Sequence, residues 1–283
     1  MNIGIRLHDL DGQGLEAKLK NAQELGFTCV HLAISKVEPG FSMAEAPALL
    51  TEAYAATVRG LLERYGLQAA VLGCYLNLAT PDPAELAQTT ACYLAHLRFA
   101  AWIGAKMVGT ETGAPNREYA ATEECFTPES LALFIQRLRP VVAAAEQWGV
   151  PLAIEPVSRH IVHTPARAKE VLDALASPFC KIILDPVNLL SASNVSSQEE
   201  LFAQALTLLG GSIEAVHWKD YRMAEGEVCA VAGGMGELRG ESVLRYLAAR
   251  PQLPVTLEDA NPRNAAKVRA GLAEQLCRLG MLQ

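Results

Sequence analysis

The feature of this sequence that most restricts its fold is a repeated alternation between short apolar runs and longer amphipathic segments. Each apolar run is followed by a segment with helical periodicity. Eight strand–helix pairs without an intervening linker predict a single-domain (β/α)₈ barrel over residues 1–283. A doubly wound open sheet is the second interpretation, although no GxGxxG motif opens the first helix. The predicted strands are 2–7, 28–34, 68–74, 106–110, 151–155, 181–185, 214–218 and 254–258.

Residues typical of helix ends support this segmentation. Pro83, Pro128 and Pro165 each follow an Asp or a Thr, which is the order expected for an N-cap and the first helical residue. Glycines stand where the first four helices are expected to end. The predicted helices are 14–25, 45–65, 83–103, 128–148, 165–176, 198–209, 241–249 and 263–280.

Composition argues against several classes of partner and location. The chain has a net charge of −7 and no basic run, so we expect no nucleic-acid partner. No apolar run approaches the ~20 residues of a membrane span, and the N-terminal stretch lacks the apolar core of a signal peptide. The seven cysteines are scattered without CxxC spacing, as in proteins with reduced thiols. These features predict a cytoplasmic protein without a membrane partner.

Four of the predicted strands direct a side chain of ligand type toward the same end of the barrel. Because successive strand residues point to opposite faces, the leucine and isoleucine of PLAIE face the helices while Glu155 points inward. The same alternation in KIILD, AVHW and PVTLE directs Asp185, His217 and Glu258 inward. All four lie near the C-terminal ends of their strands, the face that carries the active site in barrel enzymes.

These four residues together predict a metal site, although each has a simpler explanation when considered alone. A carboxylate at a strand end is more often a cap or an ion-pair partner, and an inward histidine is more often a hydrogen-bonded core residue. Three carboxylates buried together, however, repel one another unless a cation offsets their charge. The oxygen-rich set predicts one divalent metal ion, with Mn²⁺ as first choice and Mg²⁺, Co²⁺ or Zn²⁺ as alternatives.

Side chains at the ends of the first and fourth strands are candidates for contacting a substrate. If the polar set of NIGIRLH points inward, Arg6 and His8 lie under the same mouth, where they would bind hydroxyl or carboxylate groups. The alternative is that Arg6 pairs with an acid of a neighbouring strand low in the barrel. Glu111 ends the fourth strand and would either contact substrate or support a residue that does.

Further candidates follow the fifth and seventh strands. Arg159 and His160 come shortly after Glu155, and we expect one of them to reach the substrate. Lys219 shares the face of His217 and would either offset the negative charge of the site or bind substrate.

Several motifs of this chain resemble those of a known family. They are AIEPVSRH at the fifth strand, ILDPVNLL at the sixth, VHWKD at the seventh, VTLED at the eighth, and the turn GMGEL. On these motifs the whole chain resembles the xylose isomerase-like TIM barrel superfamily, which includes sugar isomerases and epimerases, inosose dehydratase, 3-dehydroshikimate dehydratase and endonuclease IV. The resemblance implies the same four metal ligands that strand alternation selects.

The resemblance also implies roles for individual residues. In the ketose epimerase members, the glutamates corresponding to Glu155 and Glu258 exchange the substrate proton. An arginine shortly after the histidine contacts substrate there, and Arg222 is the nearest match. Many members have a substrate- or metal-binding histidine where this chain has Asn188. The extra histidines of the endonuclease IV metal cluster are missing among the six histidines of this chain, which argues against a DNA-repair role.

Residues and resemblance together predict a divalent-metal-dependent sugar or polyol isomerase or epimerase. Glu155 and Glu258 would act as acid and base through an enediolate stabilised by the cation. One alternative is a metal-dependent dehydratase of the inosose or 3-dehydroshikimate type, and a second is a non-catalytic sugar-binding barrel. Analogy with the family implies a homodimer or homotetramer. The long connections 110–128 and 225–240 are expected to be lids or surface decoration.

Overall fold

Eight parallel strands close into a barrel in the computed structural model, which describes residues 1–280. The order around the barrel follows the sequence, and the last strand closes against the first, as the strand–helix alternation predicts for a (β/α)₈ fold. The barrel strands are β1 (Asn2–Arg6), β2 (Cys29–Leu32), β3 (Gln68–Gly73), β4 (Val108–Glu111), β5 (Leu152–Glu155), β6 (Cys180–Leu184), β7 (Ile213–Trp218) and, after a hairpin described below, β10 (Pro254–Leu257).

The helices that follow these strands form the outer layer of the fold. The principal ones are α1 (Gly14–Glu24), α4 (Glu52–Arg64), α5 (Pro83–Ile103), α6 (Pro128–Trp148), α7 (Pro165–Leu175), α8 (Gln198–Leu209), α9 (Glu241–Ala248) and α10 (Ala265–Gly280), with short helices α2 (Ile34–Val37) and α3 (Ala46–Leu49). Within residues 1–280, no helix is long and apolar enough to cross a bilayer.

Side-chain caps set several of these helix boundaries. The Asp82 side chain accepts hydrogen bonds from the backbone N–H groups at the start of α5, and Thr127 and Thr164 do the same for α6 and α7. The predicted helix 45–65 is instead divided into α3 and α4. Leu50 leaves the helical conformation there, and the Thr51 hydroxyl accepts a hydrogen bond from the Tyr54 N–H to cap α4.

The barrel interior is filled by apolar side chains directly below the candidate ligands. Ala153, Ile183 and Ala215 are buried in one cluster with Val71 and Met107. The first three precede Glu155, Asp185 and His217 by two residues, so each lies on the same inward face as its ligand. Beneath the polar end, therefore, the barrel is a packed core that excludes water from the base of the site.

An antiparallel hairpin after β7 was not predicted from the sequence. It consists of β8 (Asp220–Ala224) and β9 (Glu227–Val231), joined by a two-residue turn in which Glu225 and Gly226 have φ values of 52° and 83°. The Asp220 carboxylate accepts hydrogen bonds from Gly236 N–H and Leu238 N–H, both at 2.8 Å, which ties the following loop to the hairpin base. Within the predicted connection 225–240, Glu225 and Gly226 form the hairpin turn and Glu227–Val231 form β9.

Two glycines give a test of how tightly the barrel is packed. A Cβ atom at Gly4, on β1, would lie 2.5 Å from the Cys29 carbonyl oxygen of β2, whereas one at Gly60, on the exposed face of α4, would meet nothing within 4 Å. We expect Gly4→Ala to lower the free energy of unfolding by about 2 to 3 kcal/mol through overpacking. Gly60→Ala should raise it by about 0.5 to 1 kcal/mol, because alanine has the higher helix propensity. Urea unfolding measures both changes in the free energy of unfolding. Equal effects of the two substitutions would contradict the tight packing at Gly4.

Candidate active site

The C-terminal ends of the barrel strands surround a cavity of about 630 Å³. Glu155 is the last residue of β5, and His217 lies on β7. Asp185 and Glu258 each follow the last residue of their strand, β6 and β10. All four side chains are nearly inaccessible to solvent, with exposed fractions of 2%, 0%, 0% and 5% for Glu155, Asp185, His217 and Glu258. Strand alternation thus brings three carboxyl groups and one imidazole together in a dry environment.

The imidazole of His217 approaches both glutamates through one ring nitrogen. Its Nδ1 atom is 3.1 Å from Glu155 Oε2 and 3.3 Å from Glu258 Oε1. Asp185 is oriented separately, because its Oδ1 accepts hydrogen bonds from the N–H groups of Val187 and Asn188 at 2.9 and 3.1 Å. The other carboxylate oxygen, Asp185 Oδ2, lies 2.9 Å from Lys219 Nζ.

The donor atoms of this cluster suit a divalent cation. Ligand atoms of Glu155, Asp185 and His217 lie within 4.8 Å of one another, as do those of His31, His217 and Glu258. Asp185 Oδ2 and both ring nitrogens of His217 are buried and, although Asp185 Oδ2 and His217 Nδ1 have charged neighbours, none of these atoms forms a hydrogen bond of normal geometry among the described residues. Buried polar atoms without partners are costly, and oxygen-rich sets with one imidazole bind hard and borderline divalent metals. The residues therefore fit the predicted ion.

Two cationic side chains compensate part of the negative charge. Lys219 Nζ is 2.9 Å from Asp185 Oδ2 and 3.2 Å from Glu258 Oε2, and its side chain is buried with them. Arg6 lies 3.3 Å from Glu258 Oε2 and 2.8 Å from Asp259 Oδ1. Arg6 thus pairs with acids at a neighbouring strand end, and all three residues line the cavity, whereas the alternative considered from sequence placed such a pair low in the barrel.

The proximity of these groups shifts their pKa values. Burial alone would disfavour protonation of His217, but the carboxylates of Glu258 and Glu155 outweigh it and raise the pKa of His217 to about 9. For Glu258 the desolvation that would raise its pKa is exceeded by His217 and Lys219, which hold it well below its usual range. Burial dominates for Asp185 and raises its pKa to about 6, although Lys219 opposes the shift. The protonation state of each group in the cluster therefore depends on the charges of its neighbours.

Most of the predicted substrate contacts lie in the wall of the same cavity. His8, Glu111, Arg159, Asn188 and Lys219 all line it. Asn188 Nδ2 also donates a hydrogen bond of 2.5 Å to Glu155 Oε1, so it orients one of the two candidate acid/base residues.

The structure does not bring His160 and Arg222 to the cavity wall. His160 is buried behind Glu111, with its Nδ1 3.4 Å from Glu111 Oε2 and its ring edge-on to Tyr119. Arg222 is exposed on the hairpin, where its Nε donates a hydrogen bond to the Met235 carbonyl oxygen. On the hairpin Arg222 pairs with Cys229, whereas the β9 residues on either side of Cys229, Val228 and Ala230, line the cavity.

Glu111 is held by residues of the long connection after β4. Tyr119 donates a hydrogen bond of 3.2 Å from its hydroxyl to Glu111 Oε2, and Tyr119 has a φ of 57°, unusual for a residue with a side chain. Burial and the nearby Glu155 carboxylate raise the pKa of Glu111 to about 7. The connection therefore contributes directly to the environment of the cavity.

Two residues of the cavity wall, His31 and Tyr75, were not among the predicted site residues. The His31 ring stacks on that of His217 with centroids 5.0 Å apart and an interplanar angle of 13°. The alternation of TCVHLAI could have identified His31, since Val30 and Leu32 are the apolar, helix-facing pair. Tyr75 follows β3 in a segment without strand periodicity, so sequence alone gave no signal for it.

Comparison with known proteins identifies the family. The closed barrel with polar strand ends around one cavity is the architecture of (β/α)₈ enzymes. The profile of the xylose isomerase-like TIM barrel matches residues 19–276. The chain belongs to this family. A search of curated proteins finds no match.

Solved structures with the same fold are distant in sequence. A D-tagatose 3-epimerase-like protein is 18% identical over 99% of both chains, with a TM-score of 0.78. The probable 3-DHS dehydratase AsbF from Bacillus anthracis is 15% identical over 99% of this chain and 98% of its own, with a TM-score of 0.72. The IolI protein, solved with a bound zinc atom, is 15% identical over the same shares, with a TM-score of 0.71. At these identities the likeness concerns the fold.

Proposed function

We propose that the protein is a divalent-metal-dependent isomerase or epimerase of a small sugar or polyol. The observation that carries this proposal is the approach of Glu155 Oε2 and Glu258 Oε1 to the same atom, His217 Nδ1, with both glutamates in the cavity wall and an Asp185 oxygen within 4.8 Å of ligand atoms of Glu155 and His217. Two carboxylates at one centre suit the removal of a proton by one group and its return by the other.

The proposed roles follow from the contacts of each residue. Glu155, Asp185, His217 and Glu258 would hold the cation, which would polarise adjacent hydroxyl and carbonyl oxygens of the substrate and acidify the C–H bond between them. One of the two glutamates would then accept that proton. The other would deliver a proton to the same or the neighbouring carbon, giving epimerisation or isomerisation.

Neighbouring side chains keep the two glutamates in place for this exchange. The Asn188 amide donates to Glu155, while Lys219 and Arg6 lie against Glu258. These cations keep Glu258 ionised, as the base of such a reaction requires. Because the base of the barrel is packed with apolar residues, proton exchange with bulk water is limited to the cavity mouth.

The similar structures support the proposed type of reaction. One similar structure is a D-tagatose 3-epimerase-like protein, and another has a bound zinc atom. A third is a probable dehydratase, and loss of a β-hydroxyl from the same carbanionic species is the alternative outcome of the first proton removal. We include in the proposal a small-molecule substrate, no nucleic-acid partner and a homodimer or homotetramer.

The decisive experiment is solvent deuterium uptake with metal-reconstituted protein. The protein would be loaded with Mn²⁺, Mg²⁺, Co²⁺ or Zn²⁺ and incubated in deuterated water with free ketoses, inososes and dehydroshikimate. Uptake at a carbon next to a carbonyl supports the isomerase or epimerase. An absorbing unsaturated product in place of uptake would replace the proposal with the dehydratase. Protein that neither binds nor is activated by any of these metals would favour the non-catalytic barrel.

The metal assignment gives a separate prediction. We expect Asp185→Asn to weaken Mn²⁺ binding by at least about 100-fold, since it removes an anionic ligand from a buried set. Asp173→Asn is the matched control, because Asp173 is exposed on α7 and pairs with Lys169. Isothermal titration with Mn²⁺ measures both affinities. An unchanged affinity in the Asp185 variant would contradict its role as a ligand.

A further inference from the structure

One side of the active-site cavity is lined by apolar side chains. Val157 follows β5, Val187 and Leu190 follow β6, and Val228 and Ala230 belong to β9 of the hairpin after β7. Because β5, β6 and β7 are neighbours in the barrel, these side chains lie along one arc of the cavity. We call these five residues the apolar wall.

The hairpin contributes to this wall through one of its two faces. Val228 and Ala230 line the cavity, whereas Cys229 between them lies on the opposite face with its partner Arg222, because successive strand residues alternate in direction. Val228 is half-buried and Ala230 is exposed, so a ligand in the cavity can contact both without a rearrangement of the barrel. The hairpin thus presents an apolar surface to the cavity, in place of the charge of Arg222.

Backbone groups of the apolar wall are already hydrogen-bonded within the protein. The Val187 N–H group donates to Asp185 Oδ1, and the Leu190 N–H group donates to the Val187 carbonyl oxygen. Ser158 joins the loops after β5 and β6, because its N–H donates to the Asn188 carbonyl oxygen at 2.7 Å and its hydroxyl donates to the Leu190 carbonyl oxygen at 2.8 Å. These groups are therefore not free donors for a substrate.

Two further polar side chains of these loops line the same cavity. Asn188 Nδ2 is engaged with Glu155 Oε1 at 2.5 Å. Arg159 is exposed, and a side chain of this kind keeps its charged end in water while its stem covers apolar surface. A sugar hydroxyl placed against the apolar wall would lose its hydrogen bonds to water without an equivalent replacement, which is unfavourable.

The wall at the ends of β10, β1 and β2 has a different character. It is mainly polar, with Arg6, His8, Ser35, Lys36 and Asp259 beside the apolar Ala33 and Met43. Polar groups of this kind bind and orient the hydroxyl groups of a ligand. Glu155 contacts the first side through Asn188, and Glu258 contacts the second through Arg6. The two candidate bases therefore lie between an apolar and a polar half of the cavity.

We propose that the substrate is a carbohydrate that carries an alkyl or aryl substituent, and that this substituent lies against the apolar wall. The hydroxyl groups of the sugar face the polar half, so the substrate binds in one orientation. The cavity volume of about 630 Å³ is in the range that accommodates drug-sized ligands, so sugar and substituent fit together. That the apolar group is attached to a sugar rests on the proposed function, whereas its binding by the wall does not.

Glycosides that differ only in the length of an alkyl group test this binding. The probes are the methyl and n-butyl β-glycosides of D-glucose and D-fructose, titrated calorimetrically into the full chain saturated with Mn²⁺. Neither type has a free carbonyl group, so binding is measured without turnover. We expect at least one butyl glycoside to bind about tenfold or more tightly than its methyl counterpart, since each fully buried methylene contributes about fourfold. Equal affinities within both pairs, or no binding of either butyl glycoside, would overturn the proposal.

Substitutions on the hairpin show whether the gain arises at the apolar wall. We expect Val228→Asn to reduce the preference for the butyl over the methyl glycoside about fivefold or more, with little change in the affinity for the methyl glycoside. Cys229→Asn is the matched control, because Cys229 is exposed on the other face of the same strand, and the preference should be unchanged.

A second variant guards against damage to the hairpin. Val228→Thr keeps the branched shape of valine and its strand preference, and it should reduce the preference in the same direction. A preference unchanged in both Val228 variants, or reduced equally by Cys229→Asn, would show that the butyl group binds elsewhere and would overturn the proposal.

The titrations and the deuterium experiment separate the two proposals. Deuterium uptake into free ketoses together with equal affinities within the glycoside pairs would refute the apolar subsite and leave the proposed function intact. A butyl preference that Val228→Asn removes, without uptake into any ketose, would support the apolar subsite and refute the proposed function.

Discussion

Replacing Glu258 by glutamine is expected to lower the rate of solvent deuterium uptake by about 10² to 10⁴-fold, and Glu155→Gln should have an effect of the same size. Glutamine keeps the shape and one oxygen of the side chain but cannot accept and return a proton. In the proposed mechanism, proton removal and return use different carboxylates, so neither residue could replace the other in converting substrate to product. The measurement is uptake into a substrate of the unaltered protein, followed by mass spectrometry.

The uptake experiment must distinguish the loss of a base from the loss of a metal ligand, because the proposal gives both roles to these glutamates. Uptake is therefore measured at Mn²⁺ concentrations that saturate each variant, as established by titration. The control is Glu63→Gln on the exposed surface of α4, where the side chain only approaches Arg59 at 4.0 Å. Full conversion of the substrate to its epimer or isomer by either metal-saturated active-site variant would refute the assignment of two bases. Full loss in the control would indicate damage unrelated to chemistry.

Removing the buried ammonium of Lys219 is expected to have the largest effect on stability. Lys219→Met leaves Asp185 and Glu258 buried with less positive charge beside them, so we expect the free energy of unfolding to fall by about 3 to 5 kcal/mol. Lys169→Met is the matched control. Its Nζ lies 2.6 Å from Asp173 Oδ1, but the lysine side chain is 43% exposed, so its loss should cost less than about 1 kcal/mol.

Urea unfolding in the presence of a chelator measures both lysine variants. Added Mn²⁺ should restore part of the stability of Lys219→Met, because a cation bound by the carboxylates supplies the missing positive charge. Equal, small losses in the two variants would contradict the view that Lys219 balances the acidic cluster. A large loss that Mn²⁺ leaves unchanged would point to packing of the lysine stem instead.

The fold and the centre of the site were largely predictable from local patterns. Short apolar runs identified the barrel strands, and period-two alternation directed Glu155, Asp185, His217 and Glu258 to the barrel interior, because strand geometry fixes which face a residue occupies. Proline after a capping residue located the starts of α5, α6 and α7 for an equally local reason. One helix start was not predicted. The predicted helix 45–65 is interrupted before α4, where Leu50 is not helical and the Thr51 side chain caps the new helix.

Contacts between residues distant in the sequence determined the features that local sequence patterns did not predict. The β8–β9 hairpin carries Arg222 to the surface, and Asp220 holds that hairpin through backbone contacts more than a dozen residues away in the sequence. Arg6 was left between two interpretations because its partner Asp259 belongs to the opposite end of the chain. No local sequence pattern shows that residues so far apart in the chain will lie close together in the structure.

By itself, the sequence determined the (β/α)₈ architecture, the strand ends that form one face, and the ligand-type residues that point inward there, since all three follow from the periodicity of single elements. Only the tertiary structure decided which charges compensate one another and which wall residues surround the cavity. The approach of Tyr75 to His31 depends on the space at Gly73 and Gly109, on two different strands, and such space exists only once the barrel has closed.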